Sequence, residues 1–205
     1  MKLIIEHAVL FDTVKSTSYA MSKQGERSNL QSMFFDFNNR EAKIIATDGN
    51  RLVLNTITNT DYYNLENNND VKFLLNRIDV NHLIAFLKNN LQKKMVLQVV
   101  NIEIAGITIT FELNGNKAIY NLMDADTFPN YTRVIPLHKY DTLPNNVLLN
   151  ANYLANCSKI FEKCNSVEFL LNTPSGALSM APVSIKSSHI LFNIDVVYVI
   201  MPMSK

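Results

Sequence analysis

A chain of 205 residues that is 47% hydrophobic and 18% charged has the makeup of a globular protein with room for one large domain or two small ones. The formal net charge of +1 excludes a histone-like or tail-type polycation, but not a protein that gathers its lysines on one surface. Two cysteines, Cys157 and Cys164, exclude a disulfide scaffold and a four-ligand zinc site.

The N-terminal run from Met1 to Lys15 is broken by Glu6, His7 and Asp12 and carries no small-residue cleavage site, so no secretory signal is expected. No stretch approaches the roughly 20 apolar residues of a membrane helix, and the expected location is cytoplasmic, with no membrane partner.

In chain order, Lys2–Ile5 reads as a short strand running into a helix with Leu10, Phe11, Val14 and Met21 as its apolar stripe. Strand-like runs follow at Met33–Asn38, Ala42–Ala46 and Arg51–Thr58, separated by turn signals at Asn38-Asn39 and Asp48-Gly49. Lys72–Leu75 opens a second unit. Its helix takes Asp79 as N-cap and carries Val80, Leu83, Ile84, Leu87 and Leu91 at helical spacing. The runs Met95–Val100, Ile102–Leu113 and Lys117–Met123 come next, with a turn at Asn114-Gly115-Asn116. Val147–Leu149 opens a third unit, capped by Asn150 or Asn152, with Tyr153, Leu154, Cys157, Ile160 and Phe161 on one helix face. Cys157 and Cys164 then fall on the same helix face about 10 Å apart, too far for a disulfide. Val167–Leu171, Ala177–Met180 and His189–Ile200 complete it. The pattern is a strand–helix–strand–strand–strand unit of about 70 residues, three times over. Helices gathered on one face of antiparallel sheets make an α+β fold. Three such units leave a sheet edge that invites a partner, most simply a second chain.

Catalytic constellations are missing from the sequence. His7, His82, His138 and His189 form no metal-ligand spacing, and no glycine-rich phosphate loop or nucleophile elbow is present. Asp124 and Asp126 read as a solvated pair before Phe128. An enzyme is not expected, nor a metal or other cofactor.

Three short motifs carry a resemblance. They are Ala46-Thr47-Asp48-Gly49-Asn50-Arg51-Leu52, then Phe128-Pro129-Asn130-Tyr131-Thr132-Arg133-Val134-Ile135-Pro136, then the C-terminal Tyr198-Val199-Ile200-Met201-Pro202-Met203. Together they resemble the bacterial DNA polymerase III beta subunit, the sliding-clamp family, with its ATDGHRL-like turn, FPDYRRV-like exit and VMPMR-like ending. Asn50 stands where the family has histidine, and Ser204-Lys205 where it has Arg-Leu. On this resemblance residues 1–136 correspond to the clamp's complete middle domain, and residues 137–205 to the C-terminal half of its third domain. The first domain and the other half of the third have no counterpart.

The resemblance implies the DNA-clamp fold, built from repeated β-α-β-β-β units, and a non-catalytic processivity factor that encircles double-stranded DNA without reading its sequence. The helix faces would meet phosphates through Lys15, Lys23, Arg27, Arg77, Lys88, Lys93, Lys94, Lys159 and Lys163, although a single lysine on a helix is ordinarily just solvated. A pocket for short peptides of the DNA polymerase and clamp loader would be formed by Leu30, Thr47, Gly49, Asn50, Arg51, Leu52, Pro129, Arg133, Val134, Asn150, Tyr153, Val199, Ile200, Met201, Pro202 and Met203. Of these, Leu52, Val134 and Val199 read as core residues when taken alone, and Arg51, Arg133 and Met203 as pocket residues. Family rings hold twelve such units, so four chains of three units would close one as a homo-oligomer. The alternative is an adaptor or regulator outside any ring that keeps the peptide pocket.

Overall fold

The computed structural model describes residues 1–23, 28–66, 69–91, 97–135, 147–171, 182–192 and 194–203. The first unit is β1 (Lys2–Glu6), α1 (His7–Ser18), β2 (Ser32–Phe37), β3 (Ala42–Thr47) and β4 (Arg51–Ile57), followed by a short β5 (Tyr63–Leu65). The second is β6 (Val71–Asn76), α2 (Arg77–Asn89), β7 (Val99–Ala105), β8 (Thr108–Leu113) and β9 (Asn116–Asn121). The third has two short helices, α3 (Ala151–Ala155) and α4 (Cys157–Ile160), and then β10 (Glu168–Leu171), β11 (Val183–Ser188) and β12 (Ile194–Ile200).

Two antiparallel sheets result, ordered β5-β1-β7-β8-β9 and β10-β11-β12-β4-β3-β2-β6. The order shows an exchange. β1 of the first unit pairs with β7 of the second, and β6 of the second pairs with β2 of the first. The third unit joins through β12, which lies antiparallel on β4 over its whole length, from Ile194 opposite Ile57 to Ile200 opposite Arg51.

β1 runs into α1, and β6 into α2, with no loop between strand and helix. The first amide of α1 is satisfied by a hydrogen bond from His7 N–H to the Gln98 carbonyl (2.8 Å) rather than by a side-chain cap. In α2 the cap is Asn76, whose side chain accepts from the Asp79 N–H at 2.9 Å. The sequence reading placed the cap at Asp79. The helix starts earlier because strand β6 delivers its last residue, Asn76, directly into the cap position. Val9, Leu10 and Val14 of α1 and Val80, Leu83 and Leu87 of α2 are buried, each contributing roughly 1.5–3 kcal/mol when fully removed from water. The two helices pack side by side, and each touches strands of both sheets. Beneath them Phe35, Phe37 and Phe73 form a stacked aromatic ladder, with Phe35 and Phe73 centroids 4.5 Å apart. Leu91 lies beyond the end of α2 and is exposed, so the helical stripe stops at Leu87.

Other expectations also differ from what is observed. Ile102–Leu113 is not one strand but the β7–β8 hairpin, which turns at Gly106 (φ 59°). His189–Ile200 is likewise broken, with β12 starting only at Ile194 and β11 supplying a strand the sequence reading missed. Val147–Leu149 is not in a strand, and among the described residues it pairs with none. The third helix breaks at Asn156, which separates α3 from α4. Cys164 falls outside both helices, in an isolated bridge to His189. Both cysteines are half-buried free thiols, pushed up in pKa by burial. Ala177–Met180 and Met95 lie outside the described residues.

Candidate functional site

The β3–β4 turn is built by its own side chains. The Asp48 carboxylate accepts from the Asn50 and Arg51 N–H groups, both at 3.0 Å. Thr47 Oγ1 accepts from the Gly49 N–H (3.1 Å) and donates to the Arg51 carbonyl (2.7 Å). Gly49 sits at φ 91°, where a side chain would be strained, and a Cβ there would point at Leu30 Cδ1 from 3.6 Å.

The turn aims Arg51 inward. Its Nε donates to Asp48 at 2.9 Å, both side chains being about nine-tenths buried (8% and 12% exposed). Its guanidinium lies over the Tyr153 ring of α3, 4.4 Å from the centroid. No hydrogen bond among the described residues reaches Arg51 Nη1, although it is buried. The Tyr198 hydroxyl donates to the Tyr153 carbonyl (3.0 Å). Burial pushes the Tyr198 phenol up to about 12, against the opposing pull of neighbouring Arg51. Tyr153 is raised too, by burial and then by the Asp48 carboxylate beside it.

The C-terminal segment closes over the same place. The Met201 N–H donates to the Asn50 carbonyl (2.8 Å), and the Met203 N–H to the Leu148 carbonyl (2.9 Å). Asn150 caps α3 by accepting from the Asn152 N–H at 2.9 Å, which sets Tyr153 toward Arg51. Leu52 faces Val199, and Arg51 faces Ile200, across the β4–β12 junction. Leu52 and Val199 belong to a second apolar cluster on the outer side of the seven-stranded sheet, with Phe34, Ile45, Leu54 and Leu74. The segment after β9 covers it, with Phe128 stacked on Phe34 at 5.1 Å and Tyr131 and Ile135 packed alongside.

The pocket residues expected from sequence therefore fall into three groups. Thr47, Gly49, Asn50, Arg51, Tyr153, Asn150, Ile200 and Met201 meet at the turn, with Leu30 against Gly49. Leu52 and Val199 are core, as they read when taken alone. Pro129, Arg133 and Val134 lie on the covering segment. Val134 is 38% exposed there, which overturns its reading as core, and Arg133 is exposed. Pro202 is half-buried and Met203 is 52% exposed. Residues the sequence reading missed are Asp48, which holds Arg51, and Tyr198, whose hydroxyl reaches α3. The Asp-Gly turn signal could have flagged Asp48, but nothing local marks Tyr198.

The basic candidates are less uniform. Lys23, Lys88, Lys159 and Lys163 are exposed, and Lys159 also sits over the Tyr19 ring at 5.5 Å. Lys15 is paired with Glu162 at 2.8 Å, and that hydrogen bond raises its pKa. Arg77 donates to the Met21 and Ser22 carbonyls (3.1 and 3.0 Å), so it braces the end of α1. Arg27, Lys93 and Lys94 lie outside the described residues. Lys23, Arg77 and Lys159 line one open cleft with Arg51 and Tyr153. Among the described residues no group of three or more His, Cys, Asp or Glu side chains could hold a metal ion, and no helix is long and apolar enough to cross a membrane.

No protein-family model matches this sequence, and no curated protein does. Solved structures do match. The DNA polymerase sliding clamp of Pseudomonas aeruginosa, solved with a ligand, superposes with a TM-score of 0.75 at 18% identity, over 100% of this chain and 66% of that one. The DNA polymerase III beta subunit of Thermotoga maritima gives 0.74 at 16% identity, over 100% and 66%. The sliding clamp of Bartonella birtlesii bound to griselimycin gives 0.72 at 20% identity, over the same shares. The chain thus has the fold of the bacterial sliding clamps and spans just under two thirds of their length.

Proposed function

We propose that this chain is a sliding clamp, a processivity factor that does no bond chemistry. It encircles duplex DNA as a closed homo-oligomeric ring and captures short peptides of replication proteins at the Arg51–Tyr153–Met203 site. The observation that carries the reading is the meeting of three sequence-distant segments, two of which carry motifs of the resemblance. The Asp48-Gly49 turn, α3 and the Met201-Pro202-Met203 segment come together around one buried arginine.

The site suits a linear peptide. Among the described residues the buried Arg51 Nη1 has no hydrogen-bond partner, and an unmet donor beside a cleft is a place for a peptide carbonyl or carboxylate. Met203 supplies exposed apolar surface beside the turn, and methionine adapts to varied anchors. On the helix side, Lys23, Lys88, Lys159 and Lys163 would meet phosphates without base contacts, as a protein that must slide requires. Tethering a polymerase to such a ring raises its effective concentration at the primer end.

The test is topological. Protein bound to a closed circular plasmid should be retained in high salt and released when one restriction cut linearises the circle. Peptide binding with no retention on the circle would instead make the chain an adaptor outside any ring. Failure of both would end the clamp reading.

A further inference from the structure

In the first two units, three places relative to the helix are filled by the neighbouring unit. The residue three before the helix, Ile4 or Leu74, has its outer edge held by the segment that follows its own unit's last strand. Ile4 faces Asn64, and Leu74 bridges to Met123. Its inner edge pairs with the third residue of the other unit's first post-helix strand, Ile4 with Asn101 and Leu74 with Phe34. One residue on, Ile5 faces Val100 and Leu75 faces Met33, all four fully buried. In the helices, the fourth residues Leu10 and Val80 are fully buried as well.

The third unit repeats the outer half of this arrangement. Leu148, three residues before α3, accepts from the Met203 N–H just after the unit's last strand. Among the described residues the inner half is missing: β10 is the last strand of its sheet and Val147–Leu149 pairs with no strand. Phe169, the counterpart of Val100 and Met33, is 54% exposed, and Leu154, the counterpart of Leu10 and Val80, is 38% exposed. An open edge beside exposed large apolar side chains is a template for strand addition.

We infer that the third unit is completed by the third unit of a second copy of this chain, through reciprocal strand exchange. Val147–Asn150 of each copy lies antiparallel on β10 of the other, with Leu149 opposite Phe169 and Leu148 opposite Leu170. The register follows from the two exchanges already made within the chain. The occupant is a second copy because the unit carries both a donor segment and an acceptor edge, so a two-fold axis satisfies both at once. The two Leu154 side chains then enter the buried helix contact that Leu10 and Val80 occupy between α1 and α2. This interface rests on the repeat rather than on DNA binding, and it supplies one closure that the proposed ring needs.

The full-length double variant Leu149→Cys/Phe169→Cys, oxidised at micromolar concentration, should give a covalent dimer on a non-reducing gel. Each single variant, and the out-of-register pair Val147→Cys/Phe169→Cys, should not. Phe169→Asp should halve the mass seen by sedimentation equilibrium while its circular dichroism at low temperature stays near wild type. Ile119→Asp, on the edge strand of the other sheet, should leave the cross-link intact. A double variant that stays uncross-linked, single variants that cross-link as well as the double, or a Phe169→Asp mass equal to wild type would each overturn the exchange. A cross-linked dimer that is not retained on circular DNA would end the clamp reading and keep the exchange. Retention on the circle without the cross-link would do the reverse.

Discussion

Leu10 and Leu154 occupy the same position in two copies of one structural unit, yet the first is wholly buried and the second is 38% exposed. The contrast runs through both units. In the first, α1 is a continuous helix of twelve residues against α2, and its opening strand is hydrogen-bonded on both sides. In the third, the helix breaks at Asn156, and among the described residues the opening segment pairs with no strand, its Leu148 carbonyl accepting from Met203 and its Leu149 packing on the core. Similar local patterns therefore reach different degrees of order, and the difference is whether a partner unit is at hand. Secondary structure at a repeat boundary is held by its neighbour more than by propensity.

The largest effect separating the two regions should come from aromatic truncation. Phe35→Ala, in the ladder with Phe73 and Phe37, should cost about 3–5 kcal/mol in chemical denaturation. Phe169→Ala should change the stability of the isolated protomer by roughly 0.5 kcal/mol or less, as for an exposed side chain. A comparable loss at both sites would mean that the third unit is already closed.

Next comes the turn at the junction of the two regions. Asp48→Ala removes the carboxylate from a nearly buried Arg51 and cuts two turn hydrogen bonds, so a loss of about 3 kcal/mol is expected. Peptide affinity, measured by fluorescence anisotropy, should fall with it. Met203→Ala sharpens the distinction. Its half-exposed side chain should leave the melting temperature unchanged, while weakening peptide binding by about 1–2 kcal/mol. Unchanged binding would move the pocket elsewhere.

The smallest effect is a pH dependence at the contact between α1 and the third unit. His189 Nε2 lies 3.4 Å from Asp12 Oδ2, and its ring stacks on Phe192. Burial holds its pKa below the ordinary histidine value, helped by nearby Lys163 and opposed by Asp12. The folded state therefore binds fewer protons than the unfolded one. Stability from this site is present above the unfolded pKa of about 6.5 and is lost as pH falls through the lowered folded value. The melting temperature should decline between pH 7.5 and pH 5.5, and His189→Gln should flatten that decline. An unchanged slope in His189→Gln would assign the effect to another group.

Much of this was readable from local pattern. Apolar spacing found α1 and α2, and the Asp48-Gly49 and Asn114-Gly115 turn signals found two hairpins, where Gly49, Asn114 and Gly115 all take positive φ. The proposed peptide site was legible in part, as motifs, but not as a geometry. Arg51 and Tyr153 are about a hundred residues apart, and nothing in either neighbourhood gives the 4.4 Å between guanidinium and ring. Ile102 and Ile104 alternate in one phase and Ile107, Ile109, Phe111 and Leu113 in the other, so the phase slip at Ala105-Gly106 marked a turn that reading the run as one strand passed over.

By itself, the sequence determined the three-unit plan, the buried faces of α1 and α2 and the turns at Asp48-Gly49 and Asn114-Gly115, because these depend on the spacing of side chains a few residues apart. Only the tertiary structure decided that β1 and β6 cross between units, that β12 extends the sheet along β4, and that Val147–Leu149 pairs with no strand among the described residues. Backbone hydrogen bonds look alike on every edge. The choice of partner is made by which apolar faces, distant in sequence, can be buried together.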